Sequence, residues 1–323
     1  MLPLPGNRKA LKQTSAFNGR SAFSLIEVLV SVTILAFLLV LLATVGDQIM
    51  KSWSRVSAST QFYQDARVAL DVIARRVSQA TLNPHWAYDD PLRPARYIRK
   101  SDLRFVIQPA SSLLGSSFGP GSAMFFQAPL GRSNDPGNRQ MVELLNTCGF
   151  YIERTGLLPP PFPAGAAVGP VRYRLMEVQA PAEAMGVFDA GPATDFDWVT
   201  QALASGHVRQ LAENVIFFHV RPLLSAEGDN RQDISTDMNY NSAADVNSTP
   251  QPPSANQLPP LIEITLIALD ESSALRFEAS GFSLDGKFQN AANFESHLRD
   301  LTDNLAAKRL IFLVLQTRVS LPN

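Results

Sequence analysis

The chain has 323 residues, 46% of them hydrophobic and 18% charged, a composition that predicts a folded protein and excludes a disordered one. Its single cysteine, Cys148, excludes an intrachain disulfide, and we expect this thiol to be a small apolar filler. A formal net charge of −1 provides no basic surplus for general nucleic-acid binding.

The N-terminus joins a basic leader to a long apolar run. The charged side chains of residues 1–22 are all basic: Arg8, Lys9, Lys12 and Arg20. From Val28 to Val45, 18 residues carry no charge, and with the five residues before them they are long enough to cross a bilayer as a helix. The basic flank predicts a cytoplasmic N-terminus. Without the leader the chain would hold 24 bases and 29 acids, a formal −5.

One carboxylate, Glu27, lies at the start of this run. Burying a lone acid in lipid costs several kcal/mol, so such a residue is a functional candidate by default. A secretory signal peptide has a shorter apolar region followed by a small-residue cleavage site. Here the run is longer, and the chain continues as Asp47-Gln48-Ile49.

The stretch Ala22-Phe23-Ser24-Leu25-Ile26-Glu27 resembles the processing site of type IV pilins and type II secretion pseudopilins. The resemblance implies that prepilin peptidase cuts between Ala22 and Phe23, that Phe23 is N-methylated, and that Glu27 is the assembly residue. The family usually has Gly where this chain has Ala22. Cleavage would create an ammonium on Phe23 that pairs with Glu27 of a neighbouring subunit, which lowers the cost of holding both charges in an apolar surround. An uncleaved anchor whose Glu27 reaches the interface is the alternative.

Helical periodicity continues beyond the apolar run. Apolar residues recur at steps of three, four or seven: Ile49, Trp53, Val56, Tyr63, Ala66, Leu70, Ile73, Val77 and Ala80. The pattern predicts one helix over about 23 to 82, stopped by Asn83-Pro84. Its transmembrane half is 23–46 and its amphipathic half is 47–83. Gly46 is a point where it could bend, and a free coiled coil is the alternative use of the stripe.

Residues 84–323 contain short apolar runs separated by Pro and Gly, a pattern that predicts a β-rich head. The predicted strands are Leu103–Ile107, Ser122–Gln127, Gly149–Glu153, Val171–Val178, Asn214–Arg221, Leu261–Leu269 and Leu310–Leu315. A helix marked by Phe294, Leu298, Leu301 and Leu305 precedes the last strand. We expect the polar segment near 225–260 to be a solvated, partly disordered insertion. The predicted fold class is α+β, pilin-like: a long N-terminal helix on a mainly antiparallel sheet.

The order of these elements resembles the J-type minor pseudopilins and the Verru_Chthon cassette protein C family. That resemblance implies a tip-like subunit that is not an enzyme, anchored once in the bacterial inner membrane with a periplasmic head. Its implied partners are other pilin-like subunits, prepilin peptidase and a secreted cargo. The alternatives are a membrane-anchored recognition module for cargo or surfaces, and an uncleaved single-pass protein.

Three further patterns in the head invite chemical readings. Asp237, Asn239 and Asn241 match the start of a calcium loop, but Ser242 stands at its glycine position. Residues 115–119 spell G-x-S-x-G without the strand and helix that a nucleophile elbow needs, which argues against a hydrolase. Basic residues surround Tyr97, namely Arg93, Arg96, Arg99, Lys100 and Arg104. They suit a nucleic acid, an acidic neighbour or a solvated face, and the net acidic body argues against the first.

Overall fold

A computed structural model of the chain describes residues 24–115, 118–138, 140–156, 171–227, 230–280, 288 and 290–322, with backbone alone for 54–61, 225–227 and 230–232. The chain divides into two units, Met1–Val56 and Ser57–Asn323. The helices are α1 (Leu25–Val77), α2 (Ala110–Leu113), α3 (Asp197–Ala204), α4 (Glu271–Ala279) and α5 (Phe294–Ala307). The strands are β1 (His85–Tyr88), β2 (Tyr97–Lys100), β3 (Val106–Pro109), β4 (Ser122–Pro129), β5 (Leu145–Thr155), β6 (Arg172–Ala180), β7 (Val208–Glu213), β8 (Val215–Glu227), β9 (Asn230–Asp233), β10 (Tyr240–Asn241), β11 (Leu261–Leu269) and β12 (Phe312–Ser320).

Helix α1 runs without interruption through Gly46, so the predicted weak point does not break it. Its end differs from the prediction, because the helix stops at Val77 and not near residue 82. The amide of Ala80 donates to Val77 O in a tightened last turn, and the amide of Thr81 then donates to Gln127 O at 2.9 Å. The chain therefore leaves the helix to bridge to β4 several residues before Pro84.

The strands form three sheets, and all named strand pairs are antiparallel. The six-stranded sheet has the order β10-β3-β4-β5-β6-β7, and the four-stranded sheet has the order β12-β11-β8-β9. Strands β1 and β2 form a separate hairpin. A long N-terminal helix with a mainly antiparallel β head confirms the predicted α+β, pilin-like fold class.

The main hydrophobic core lies where the C-terminal part of α1 meets both large sheets. Its α1 members are Ala66, Ala69, Leu70, Ile73 and Val77. The sheets contribute Phe126, Phe150 and Ile152 on one side and Phe218, Ile264 and Leu266 on the other. The predicted stripe is therefore buried from Ala66 onward, whereas Ile49 and Trp53 are exposed.

Two smaller cores cover the opposite faces of the same sheets. Helix α3 buries Trp198 and Val199 against the six-stranded sheet. Helices α4 and α5 bury Phe277, Phe294 and Leu298 against the four-stranded sheet. Because both faces of each sheet are covered, the central strands read as nearly continuous apolar runs.

The segment near 225–260 differs most from its prediction. It contains β10, which pairs with β3, and its residues Tyr240, Ser242 and Asn256 are buried. Ser242 bonds to Phe105 twice: its hydroxyl accepts from the Phe105 amide and its amide donates to the Phe105 carbonyl. The prediction of a solvated insertion is wrong for these residues, because their polar groups are satisfied by backbone partners inside the head.

Candidate functional site at the N-terminal helix

Glu27 lies in the first turn of α1, where the unpaired amides of the helix favour a carboxylate. The backbone around it is regular: the amides of Glu27 and Val28 both donate to Ser24 O, at 3.0 and 3.2 Å. The hydroxyl of Ser31, one turn later, donates to Glu27 O at 2.7 Å. The side chain of Glu27 is exposed. The first turn of the helix therefore exposes one carboxylate on its surface.

The surface around Glu27 is apolar and uncovered. From Leu25 to Trp53, 29 residues form a helix apolar and long enough to cross a membrane, and none of it is buried inside the protein. Large side chains such as Leu25, Phe37 and Leu42 are at least two-thirds exposed. An apolar surface of this size needs lipid or other helices to cover it. A signal sequence meets the same criteria of length and composition, so the span alone does not decide its role.

Hydroxyl groups inside the span are already satisfied. Thr33 donates to Val30 O and Thr44 donates to Leu41 O, both at 2.8 Å, in the same way that Ser31 bonds to Glu27. These bonds let three polar side chains enter an apolar surround without unpaired donors. Glu27 is the one charged residue in 24–46, and in an apolar surround its carboxylate needs a partner of opposite charge.

Residues 17–43 match the family model described as the prokaryotic N-terminal methylation motif. The chain is type IV pilin-like. The match covers the basic end of the leader, the Ala22-Phe23 junction, Glu27 and most of the apolar run. Neither the curated proteins nor the solved structures gave a match.

The match places this pilin-like chain among membrane-anchored structural subunits processed by prepilin peptidase and assembled with other pilin-like subunits. Ala22 and Phe23 lie outside the described residues, so the cleavage point and the pairing of Phe23 with Glu27 stay predictions. The likeness to J-type subunits or to the Verru_Chthon cassette proteins also stays a prediction, because the matched segment is the N-terminal one.

The three calcium candidates do not share one cluster of free oxygens. Asp237 accepts from the amide and side chain of Asn239, and Asn241 donates its side-chain NH₂ to Ala193 O at 2.8 Å. The Asn241 side-chain oxygen accepts from the amide of Ala243. In the described part of the chain, no group of three His, Cys, Asp or Glu side chains is placed to hold a metal ion. Calcium binding stays a prediction.

Three of the arginines around Tyr97 donate to backbone carbonyls inside the head. Arg96 donates to Ser248 O at 2.8 Å, and Arg99 donates to Ala255 O at 3.0 Å. Arg104 is 9% exposed, and its guanidinium donates to carbonyls of the loop before α3: Ala190, Gly191, Pro192 and Asp195. These three cations bind backbone carbonyls of distant loops, which removes them from a surface patch for nucleic acid.

Cys148 and His219 are two of the buried titratable groups in the head, and sequence reasoning connected neither to a partner. Cys148 lies in the main core, where burial raises the pKa of its thiol well above the usual value, so the thiolate needed for reactivity is scarce. His219 is packed between Phe217 and Phe294, with Nδ1 3.0 Å from Ser122 Oγ. Burial, followed by the charge of Arg221, lowers the pKa of His219 to about 3.

The head should therefore lose stability in mild acid through His219. Above about pH 6.5 the imidazole is neutral in both states; below it the unfolded chain gains a proton that the folded chain refuses until about pH 3. Lowering the pH from 7 to 5 should cost about 2 kcal/mol through this group. Urea unfolding at both pH values, for wild type and His219→Gln, measures it. Equal pH dependence in the two proteins would contradict the assignment.

Proposed function

We propose that this chain is a minor, tip-like subunit of a type II secretion or type IV pilus-like assembly, cut between Ala22 and Phe23 and inserted through α1. One observation carries the proposal: the methylation motif overlies an exposed apolar helix whose first turn holds a single acid. A helix of this kind needs a cover, and lipid before assembly and sister helices after it both provide one.

The charge on Glu27 specifies how neighbouring helices align. Cleavage before Phe23 would create an ammonium, and a carboxylate four residues further along can reach the ammonium of an adjacent subunit. In an apolar bundle this pair stabilises one axial register, because any shift leaves two unpaired charges. The ion pair therefore sets the axial register of neighbouring helices, whereas the apolar side chains around it contribute packing that does not depend on register.

The size of the head favours a minor role. The unit Ser57–Asn323 contains two large sheets and helices that cover their outer faces. Subunits repeated along a filament must pack their heads at a short axial rise, and a bulky head obstructs that repetition. A subunit used once, at an end, avoids the obstruction. The J-type resemblance agrees with this argument.

Processing is the first point to test. We expect co-expression with prepilin peptidase to shorten the chain by 22 residues and leave N-methyl-Phe23 at the terminus, as read by mass spectrometry of membrane fractions. Ala22→Gly supplies the usual residue before the cut and should be processed at least as fast. Ala22→Lys should block the cut. A mature chain that keeps Met1 in the presence of active peptidase would overturn the proposal.

A recognition module is the second candidate, and the β1–β2 hairpin favours it. Tyr88 and Tyr97 stack with ring centroids 4.7 Å apart, and Trp86 is 67% exposed beside them. In the loop between the two strands, Asp89 accepts from the amides of Ala95 and Asp90, and these bonds lower the pKa of its carboxyl to about 2. Trp and Tyr side chains are enriched among the residues that contribute most of the binding energy at protein interfaces.

Surface changes on that hairpin separate the two candidate functions. Deleting 229–256 would remove β10 and buried residues of the head, so lost binding there would report unfolding. Trp86→Ser with Tyr97→Ser leaves the cores intact. Normal filament incorporation with lost cargo binding would favour recognition, and unchanged binding would remove the hairpin from consideration.

A further inference from the structure

The two large sheets end in four edge strands, and three of these edges are protected. Strand β10 has two residues and β9 has four. Strand β7 has six residues, carries Arg209 and Glu213, and shifts its register against β6. Short strands, charges and bulges are the usual devices that stop an edge from pairing with another chain.

Strand β12 lacks these devices. It has nine residues, and its register with β11 is continuous from Phe312 to Ser320. It contains no lysine, proline or glycine, and its one charge, Arg318, donates to Glu263 Oε2 at 2.8 Å. The apolar residues Phe312, Leu313, Val314 and Leu315 are all half-buried. A long, regular, apolar edge of this kind is a template for strand addition.

The hydrogen bonds at the two ends of β12 show which backbone groups face outward. Asp270 N donates to Ile311 O, and Leu321 N donates to Pro260 O, each at 3.1 Å. In an antiparallel ladder the bonded pairs alternate, so odd-numbered residues of β12 point their backbone groups toward β11. The even-numbered residues point away from the sheet: Phe312, Val314, Gln316, Arg318 and Ser320. Within the described chain, β12 pairs with β11 alone.

We propose that β12 is a docking edge for a second copy of this chain, paired antiparallel with the same strand of its partner. With a two-fold axis at Leu315, each hydrogen-bonded pair across the contact joins two residues whose backbone groups face away from β11. It places Phe312 opposite Arg318 and Val314 opposite Gln316, so no like charges meet and a guanidinium lies near an aromatic ring. The strand is self-complementary in both its hydrogen bonds and its side chains.

A second anchored copy suits this edge better than a soluble partner. A nine-residue strand is about 30 Å long, and pairing along it buries roughly 500 Å² per partner, less than the roughly 800 Å² of a stable interface. Such a contact is weak between freely diffusing molecules. Two chains held in one membrane by α1 meet at a high effective concentration, which compensates for the small area.

The contact closes on itself, since a two-fold pair uses both edges and leaves none for a third copy. It therefore forms a pair in the membrane and does not build a filament. The proposal does not depend on cleavage, on Glu27 or on the tip-like role, and it can be measured in membranes without any assembly.

Cysteine crosslinking in membranes tests the pairing, because the native Cys148 is buried and gives little background. Leu315→Cys in the full-length chain should form a disulfide-linked homodimer, since facing residues at the axis have Cβ atoms about 4.5–5.5 Å apart. Leu275→Cys, on the exposed face of α4, controls for random collision. A Leu315→Cys yield no higher than the control, or a crosslink to a different protein, would overturn the proposal.

A proline provides the matched test. Gln316→Pro, added to Leu315→Cys, removes an outward amide and leaves the β11 ladder intact, since proline is tolerated where the amide faces away from the sheet. It should lower the dimer yield at least tenfold. Gln316→Ala keeps the amide and should retain the dimer. Circular dichroism of both variants verifies the fold, and a folded proline variant with full dimer yield would also overturn the proposal.

Discussion

Replacing Glu27 with alanine should leave the chain in the membrane and lower its incorporation into filaments at least tenfold. Insertion does not need the acid, because removing a charge from the apolar run lowers the cost of burial. Assembly does need it in the proposed arrangement, because the ammonium of a neighbouring subunit then lacks its partner. Breaking a buried ion pair by removing one member costs about 3–5 kcal/mol. Pull-down with a tagged major subunit, after quantifying the membrane fraction, measures the effect.

Two further variants at this position separate charge from shape, and a third variant, at Ser31, is the control. Glu27→Gln keeps the size and loses the charge, so it should behave like Glu27→Ala. Glu27→Asp keeps the charge and should recover part of the incorporation. Ser31→Ala removes the hydroxyl that bonds to Glu27 O and should incorporate normally, since the helix keeps its backbone bonds. Normal incorporation of Glu27→Gln would show that pairing of charges does not drive assembly.

The elements with strong local patterns could be predicted from the sequence. Strand β11 coincides with the predicted Leu261–Leu269, and α5 contains the predicted stripe from Phe294 to Leu305. Both elements are bounded by polar or proline-containing turns, and their periodicity is that of the final structure. The apolar start of α1 and Glu27 were equally visible, because a bilayer-length run with one acid is rare.

The sequence predictions that proved wrong concern residues whose hydrogen-bond partners are distant in the chain. Strand β3 begins at Val106 and not at Leu103, because the amide of Arg104 donates to the side chain of Gln127 and not to a strand. Asn256 looked like part of a solvated segment, yet its side chain donates to Arg99 O at 2.6 Å. Composition indicates solvation only where backbone partners are missing, and a sequence pattern does not reveal those partners.

A buried carboxylate, Glu177, joins the last turn of α1 to the six-stranded sheet. Its side chain is 0% exposed and contacts two cations: Arg76 Nε lies 3.5 Å from Oε1, and Arg209 Nε donates to Oε2. Gln179 Nε2 donates to Oε1 at 2.6 Å. Arg76 and Arg209 are partly exposed, so water solvates them when the acid is removed, whereas the carboxylate has no access to water. Removing both cations should therefore lower the free energy of unfolding more than removing the acid does.

Changing both Arg76 and Arg209 to methionine should lower the free energy of unfolding by about 3–5 kcal/mol, because it leaves a buried charge without a cation. Each single change should cost less than half of that, since one cation remains, so the two effects should be strongly non-additive. Adding Glu177→Gln to the double variant should restore most of the loss, because the amide carries no charge to solvate. Urea unfolding of the full chain in detergent measures all four variants.

Arg75→Met is the matched control. Arg75 is the exposed neighbour of Arg76 in the same last turn of α1, so its loss removes the same favourable interaction with the helix dipole, a few tenths of a kcal/mol, and leaves Glu177 untouched. Its effect should therefore be small. A triple variant no more stable than the double one would show that the arginine stems, packed against the sheet, stabilise this junction and that the charge of Glu177 does not. The rescue by glutamine thus distinguishes electrostatic from packing contributions at the point where the helix joins the head.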